Sequence, residues 1–182
     1  FGASNNESVT LSRLGSDKWE RAKEKAAKQI RDTAVELLDI YSRRASKTGY
    51  ACKDDVRDYN QFCREFPFEE TGDQIEAIQA VRQDLLRPQP MDRLICGDVG
   101  FGKTEVAMRA AFTVVSSGKQ AIILVPTTLL AHQHTKNFRD RFSNWPITIE
   151  SLSRFKTKTE QKKIFVDLES GSVDILITTH KL

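Results

Sequence analysis

Gly97, Gly100, Gly102, Lys103 and Thr104 are the residues whose types and spacing point most directly to chemistry. The run Gly97-Asp98-Val99-Gly100-Phe101-Gly102-Lys103-Thr104 fills every position of G-x-x-x-x-G-K-[ST]. Its glycines let the backbone wrap close to an oligophosphate, where a side chain would block the approach. The wrapped amides and the N-terminus of a following helix aim N–H groups at the anion. Lys103 adds a point charge for the β- and γ-phosphates, and Thr104 a hydroxyl for Mg²⁺. The expected ligand is a nucleoside triphosphate with Mg²⁺. A glycine-rich turn that binds nothing is the alternative, and the context decides between them.

Such a loop works only between a strand and a helix. Met91 to Cys96 is rich in strand formers and predicts the strand. Lys103 to Val115 predicts the helix, with Val106, Ala107, Ala110, Ala111 and Val114 at helical spacing. Ala121 to Val125 is a continuous apolar run, expected to be a strand buried on both faces of a parallel sheet. Thr128 to Phe142 reads as a helix, Ile147 to Leu152 as a strand, Lys158 to Leu168 as a helix and Val173 to Ile177 as a strand. Together with Arg93 to Cys96 this makes four strands joined by helices. The fold class is therefore α/β, an open parallel sheet with right-handed crossovers.

The part before the loop is helical. Residues 1–15 carry Gly, Ser and Asn with few apolar groups, and read as a flexible lead-in or the tail of a preceding domain. A helix start follows at Ser16-Asp17, with Glu20 placed as in a capping box. From there to Ala45 there is neither Gly nor Pro. Trp19, Ala22, Ala26, Ile30, Ala34, Leu37, Tyr41 and Ala45 share one face. That predicts a single amphipathic helix about 40 Å long. The basic residues of its first half (Arg21, Lys23, Lys25, Lys28, Arg31) read as a solvated face before a nucleic-acid surface. Lys53 to Phe66 predicts a shorter helix stopped by Pro67, and Thr71 is the natural N-cap of a third, with Ile75, Ile78, Val81 and Leu85 inward.

Composition sets limits rather than a function. The 182 residues suit one domain plus an appendage, and a net charge of +3 permits a nucleic-acid partner without requiring one. No apolar run is long enough to span a bilayer, and no signal-peptide pattern is present. Cys52, Cys63 and Cys96 form no C-x-x-C pair, which argues against a zinc site or disulfide framework and for a reducing, cytoplasmic setting.

The order of motifs is more specific. Phe68 to Gln74, the phosphate loop, Val125-Pro126-Thr127-Thr128-Leu129-Leu130-Ala131, Ser153-Arg154-Phe155 and Thr178-Thr179-His180-Lys181-Leu182 follow one another. This order resembles superfamily 2 helicase-like motors, and is most similar to the family of bacterial transcription-repair coupling factors. Lys18 to Ala45, Met91 to Phe112 and Val125 to Ala131 carry the likeness, which covers nearly everything after residue 10. Branch-migration helicases of the RecG type share the motor motifs but are less similar over Val35 to Tyr41.

The resemblance implies an incomplete RecA-like P-loop sheet with flanking helices, preceded by the long helix. It makes 16–66 a helical relay or linker region and 67–182 the N-terminal part of a first motor lobe. It implies ATP and Mg²⁺ as cofactors and double-stranded DNA as the track. RNA polymerase and excision-repair proteins would be partners. The nucleotide set becomes Phe68, Thr71, Gln74, Gly97, Gly100, Phe101, Gly102, Lys103, Thr104 and Glu105, with Lys103 and Thr104 catalytic. Phe68 would stack on adenine, and the Gln74 amide offers the donor and acceptor its edge needs. Thr127, Thr128, Arg154, Thr178, Thr179 and His180 would line a groove for the DNA backbone. Ordinary N-capping is the other reading of Thr127 and Thr128. A RecG-type helicase, or a non-catalytic interaction module built on the long helix, are the rival functions.

One expected element is absent from the sequence. No apolar run ending in Asp-Glu follows the phosphate loop, and Val166-Asp167-Leu168-Glu169 falls within a predicted helix. The expectation is a motor lobe truncated before that Mg²⁺-binding strand, unable alone to turn over ATP at a motor's rate. An unpaired sheet edge would then favour self-association.

Overall fold

The structure, a computed structural model, describes residues 17–180. The expected lead-in over 1–15, the helix start at Ser16 and the last two residues of the motif ending at Leu182 lie outside the described residues. The chain divides into two compact units between Lys47 and Thr48.

The first unit contains α1 (Asp17–Ala45). Its charges follow the helix dipole, with Asp17 and Glu20 in the first turn and Arg43 and Arg44 in the last. Asp39 and Arg43 add an ion pair one turn apart at 2.5 Å.

The second unit runs α2 (Val56–Arg64), α3 (Gly72–Leu85), α4 (Lys103–Ser116), β1 (Ala121–Val125), α5 (Thr128–Arg141), β2 (Ile149–Leu152), α6 (Lys158–Glu169) and β3 (Ile175–Thr179). The sheet order is β1-β3-β2, and both pairings are parallel. Ala121 to Val125 pairs in register with Ile175 to Thr179. The expected α/β sheet with flanking helices is present. One sheet face carries α2, α4 and α5 through Phe62, Phe112, Ala131, Phe138, Phe142, Ile175 and Ile177. The opposite face is covered by α6, where Leu152, Ile164 and Leu176 meet.

Two features differ from the sequence expectations, each for a physical reason. Residues 91–96 form no strand, because no described strand runs beside them to complete a ladder. The segment is held by side chains instead: Arg93 pairs with Asp84 at 2.5 Å, and Ile95 packs against α3 and α4. β1, expected to be buried on both faces, is an edge strand. Ile123 and Val125 join the core, but Ile122 and Leu124 are 64% and 61% exposed, since α6 covers β2 and β3 and stops short of β1. The strand buried along its whole length is β3.

The core of α2 is shared with the P-loop helix α4. Phe62 is fully buried and stacks on Phe112 of α4, with ring centroids 4.2 Å apart. The strap leading into α2 is hydrogen-bonded along its length. The Gly49 N–H donates to Pro88 O at 3.0 Å, the Cys52 N–H to Leu85 O at 2.9 Å and the Lys53 N–H to Ser117 Oγ at 2.9 Å. A Cβ at Gly49 would lie 2.7 Å from the Pro90 nitrogen, so only glycine permits this approach.

Candidate functional site

The phosphate loop ends in Gly102, which takes φ +76° and caps α4 without a side chain. The first amides of α4 are therefore left for an anion. Lys103, at the first position of the helix, donates through Nζ to Gly97 O and Asp98 O, both at 2.7 Å. The ammonium thus sits across the mouth of the loop, on two carbonyls it can exchange for phosphate oxygens. This donor set suits an oligophosphate.

Gln74 holds the loop from the side of α3. Thr71 and Gln74 form a full capping box: the Gln74 N–H donates to Thr71 Oγ1, and the Thr71 N–H to Gln74 Oε1. Gln74 Nε2 also donates to Phe101 O at 3.1 Å. One N–H and one oxygen lone pair of the amide remain for a ligand edge. A Cβ on Gly102 would lie 2.7 Å from Gln74 Nε2, so this contact needs glycine twice over, for space and for backbone sign.

Two cavities flank the loop. One, of about 690 Å³, is lined by Thr71, Gln74, Gly97, Gly100, Phe101 and Lys103. The other, of about 780 Å³, is lined by Phe66, Phe68, Gln74, Gly102, Thr104 and Glu105, and by Asn137 and Arg141 of α5. Phe68 is 73% exposed and meets Phe66 edge-on at 5.5 Å, so one ring is free to stack. The two cavities together touch every residue of the expected nucleotide set.

Behind Thr104 the floor of the larger cavity is charged and buried. Glu105 accepts from Arg109 Nε at 2.9 Å and from Arg141 Nη2 at 2.9 Å, and Arg109 also pairs with Glu70. Burial works against the Arg109 charge, but the hydrogen bonds to Glu70 and Glu105 outweigh it and hold its pKa above the usual arginine value. Glu105, expected at the nucleotide, is thus turned into a network that ties α4 to α5. Nearby, burial pushes the Tyr59 hydroxyl up to about 12 and raises the Cys63 thiol above its ordinary value, so both stay protonated at neutral pH.

The second set gathers at the carboxyl ends of the strands. Thr127, Thr128, Arg154, Thr179 and His180 line one cavity of about 270 Å³ with Pro126. Thr127 also caps α5, accepting from the Leu130 N–H at 3.2 Å. Thr178 is not brought to this groove. It is 1% exposed and its hydroxyl donates to Thr179 O, because side chains alternate along β3 and its neighbour takes the groove side. Asn137, Asp140 and Arg141 were not expected at any site. They lie far along the chain from the phosphate loop, and only the packing of α5 against α4 brings them there.

Residues 71–182 match the DEAD/DEAH box helicase family. Among curated relatives, the transcription-repair-coupling factor of Escherichia coli (strain K12) is 58% identical over 176 residues, covering 97% of this chain and 15% of that protein. That of Bacillus subtilis (strain 168) is 45% identical over 172 residues, covering 94% of this chain and 15% of that protein. The chain thus spans 15% of the length of either relative. A solved structure of RecG bound to a three-way DNA junction aligns with a TM-score of 0.74 at 35% identity, over 79% of this chain and 20% of that one. A hypothetical ATP-dependent RNA helicase from Sulfolobus tokodaii, at TM-score 0.50 and 20% identity over 66% of this chain and 33% of that one, shares the fold. Among the described residues no helix is long and apolar enough to cross a membrane.

Proposed function

The chain belongs to the DEAD/DEAH box helicase family, and from that premise we propose that it is the nucleotide-binding part of an ATP-driven translocase on double-stranded DNA. The translocase acts on stalled RNA polymerase in transcription-coupled repair. The observation that carries the first half is the uncapped N-terminus of α4 with Lys103 poised over Gly97 O and Asp98 O. The second half is supported by the identity to transcription-repair-coupling factors along 97% of the chain.

In this reading Lys103 leaves its two carbonyls for the β- and γ-phosphates, and the loop amides hold the remaining charge. Thr104 turns its hydroxyl to the metal site; a bound Mg²⁺ there would neutralise phosphate charge. Phe68 stacks on the base, and Gln74 reads its edge while still joined to the loop through Phe101 O. Thr127, Thr128, Arg154, Thr179 and His180 hold backbone phosphates without reading sequence. α1 relays between a polymerase-binding part and the motor.

A branch-migration helicase is the second reading, favoured by the 35% identity to RecG. One experiment separates them. This chain is exchanged for the matching segment of the Escherichia coli relative, and displacement of stalled RNA polymerase is followed. The chimera should displace polymerase in an ATP-dependent manner, and Lys103→Ala should abolish it. A chimera that hydrolyses ATP on DNA but leaves polymerase in place would contradict the repair role.

A further inference from the structure

Phe68 lines the larger cavity with its ring mostly in solvent, and the segment that carries it, 67–70 between α2 and α3, has no regular structure. Among the described residues no backbone N–H or C=O of 67–70 makes a hydrogen bond. Such a stretch takes its position from its side chains. Those side chains lead to one buried residue, Arg109 of α4, which is 4% exposed. Two residues before Phe68, the Phe66 ring lies 5.5 Å from the Arg109 guanidinium, and the Phe68 ring meets it edge-on at 5.5 Å. Two residues after Phe68, Glu70 accepts from Arg109 Nη2. Arg109 is itself fixed, since its Nε donates to Glu105 Oε1 at 2.9 Å and Glu105 also accepts from Arg141. Phe68 is thus bracketed by two tethers to a single guanidinium.

We propose that Arg109 is a positioning residue for base recognition: through Glu70 and the Phe66 ring it sets Phe68 at a fixed offset from the phosphate loop. The inference rests on the nucleotide reading above, in which Phe68 stacks on the base. The covalent frame of a nucleotide limits where its base can lie once its phosphates are held, so a stacking ring helps only at a matching place. α4 supplies the match. It opens at the phosphate loop with Lys103 and Thr104, and it carries Arg109 on the same helix, about 9 Å along the axis from Lys103. The bond to Glu105 lies within α4 and orients the arginine, whereas the bond to Glu70 crosses to the loop and passes that orientation on. Without the Glu70 bond the nucleotide itself must order the loop, and that cost is taken from its affinity.

The test uses the full chain, titrated by calorimetry with ATP and with inorganic tripolyphosphate, each with Mg²⁺, in wild type, Glu70→Ala, Phe68→Ala and the double variant. Glu70 is 27% exposed, so its loss disturbs the fold less than loss of Arg109. Phe68→Ala should weaken ATP by about tenfold, the weight of a base stacked on an aromatic ring. Glu70→Ala should weaken ATP by about fivefold and leave tripolyphosphate within about twofold of wild type. With alanine already at 68, Glu70→Ala should cost ATP less than about twofold, because no ring is left to place. Losses that multiply in the double variant, or tripolyphosphate weakened as much as ATP, would overturn the proposal and make the ion pair a support of the fold. Unchanged ATP affinity in Glu70→Ala would overturn it too. If wild type holds tripolyphosphate as tightly as ATP, the base platform and this inference fail while the phosphate site stands. If it binds neither, the nucleotide reading fails as a whole. Should Glu70→Ala not fold, Glu70→Gln takes its place in the same cycle: a loss confined to ATP and absent with alanine at 68 supports the proposal, and any other pattern overturns it. Where Phe68→Ala binds ATP too weakly to titrate, the comparison of ATP with tripolyphosphate in the Glu70 variant decides alone.

Discussion

Glu105→Ala removes the carboxylate that both Arg109 and Arg141 depend on, and its cost follows from the geometry. The three side chains are 9%, 4% and 9% exposed, so solvent cannot take over the lost partner. Arg141 would keep only Phe62 O, while Arg109 would keep Glu70. Breaking a buried ion pair from one side costs about 3–5 kcal/mol. Because Arg109 retains a second carboxylate, the lower end applies, about 3 kcal/mol. With a urea dependence of about 2 kcal/mol per molar, the midpoint should fall by about 1.5 M. Glu105→Gln, which keeps an acceptor oxygen and loses the charge, should fall between wild type and Ala. The double variant Glu105→Leu/Arg141→Met should recover part of the loss, since removing both partners removes the unpaired charge. A Glu105→Ala midpoint within about 0.3 M of wild type would refute the claim that this network joins α4 to α5.

Gly102→Ala meets both a positive φ and Gln74 Nε2 at 2.7 Å, so it should cost about 1 kcal/mol in stability and at least about tenfold in ATP affinity; equilibrium unfolding and calorimetry read the two effects. Arg154→Ala should weaken binding to duplex DNA alike for all sequences and reduce the slope of log affinity against log salt by about 1, as fluorescence anisotropy would show. The hydroxyl and N–H of Thr157 hold the Glu160 carboxyl below the usual glutamate range. A group depressed in the folded state stabilises above its unfolded pKa and loses that contribution as pH falls through the folded one. Thr157→Ala should therefore lower the urea midpoint more at pH 7 than at pH 2, where only the cap that Thr157 Oγ1 gives the Glu160 N–H is lost, and an equal effect at both would contradict the pairing.

What the sequence reveals and what it hides divide by range. The phosphate loop is written in consecutive residues, and so is the Thr71–Gln74 capping box, because both are made by neighbours along the chain. Parallel strands carry no such mark of their position. The run Ala121 to Val125 is apolar at every residue, yet its place at the sheet edge leaves Ile122 and Leu124 in solvent. Residues 91–96 have strand composition, and composition does not supply a neighbouring strand. Phe62 reads as the inner face of a short helix, but that its ring stacks on Phe112 is a tertiary fact. Arg141 is hidden for the same reason: it reaches Glu105 only because α5 packs beside α4. Thr178 fails in the groove on a single-residue alternation that a motif read as a block does not register.

The central claim is that the α4 N-terminus, Lys103 and Thr104 hold a triphosphate, and calorimetric titration of the chain with Mg²⁺–ATP beside Lys103→Ala tests it most directly. Saturable binding by wild type, weakened at least about tenfold by the substitution, is the predicted result. A chain shown by circular dichroism to be folded that binds no ATP, or binds it equally well with alanine at 103, would contradict it.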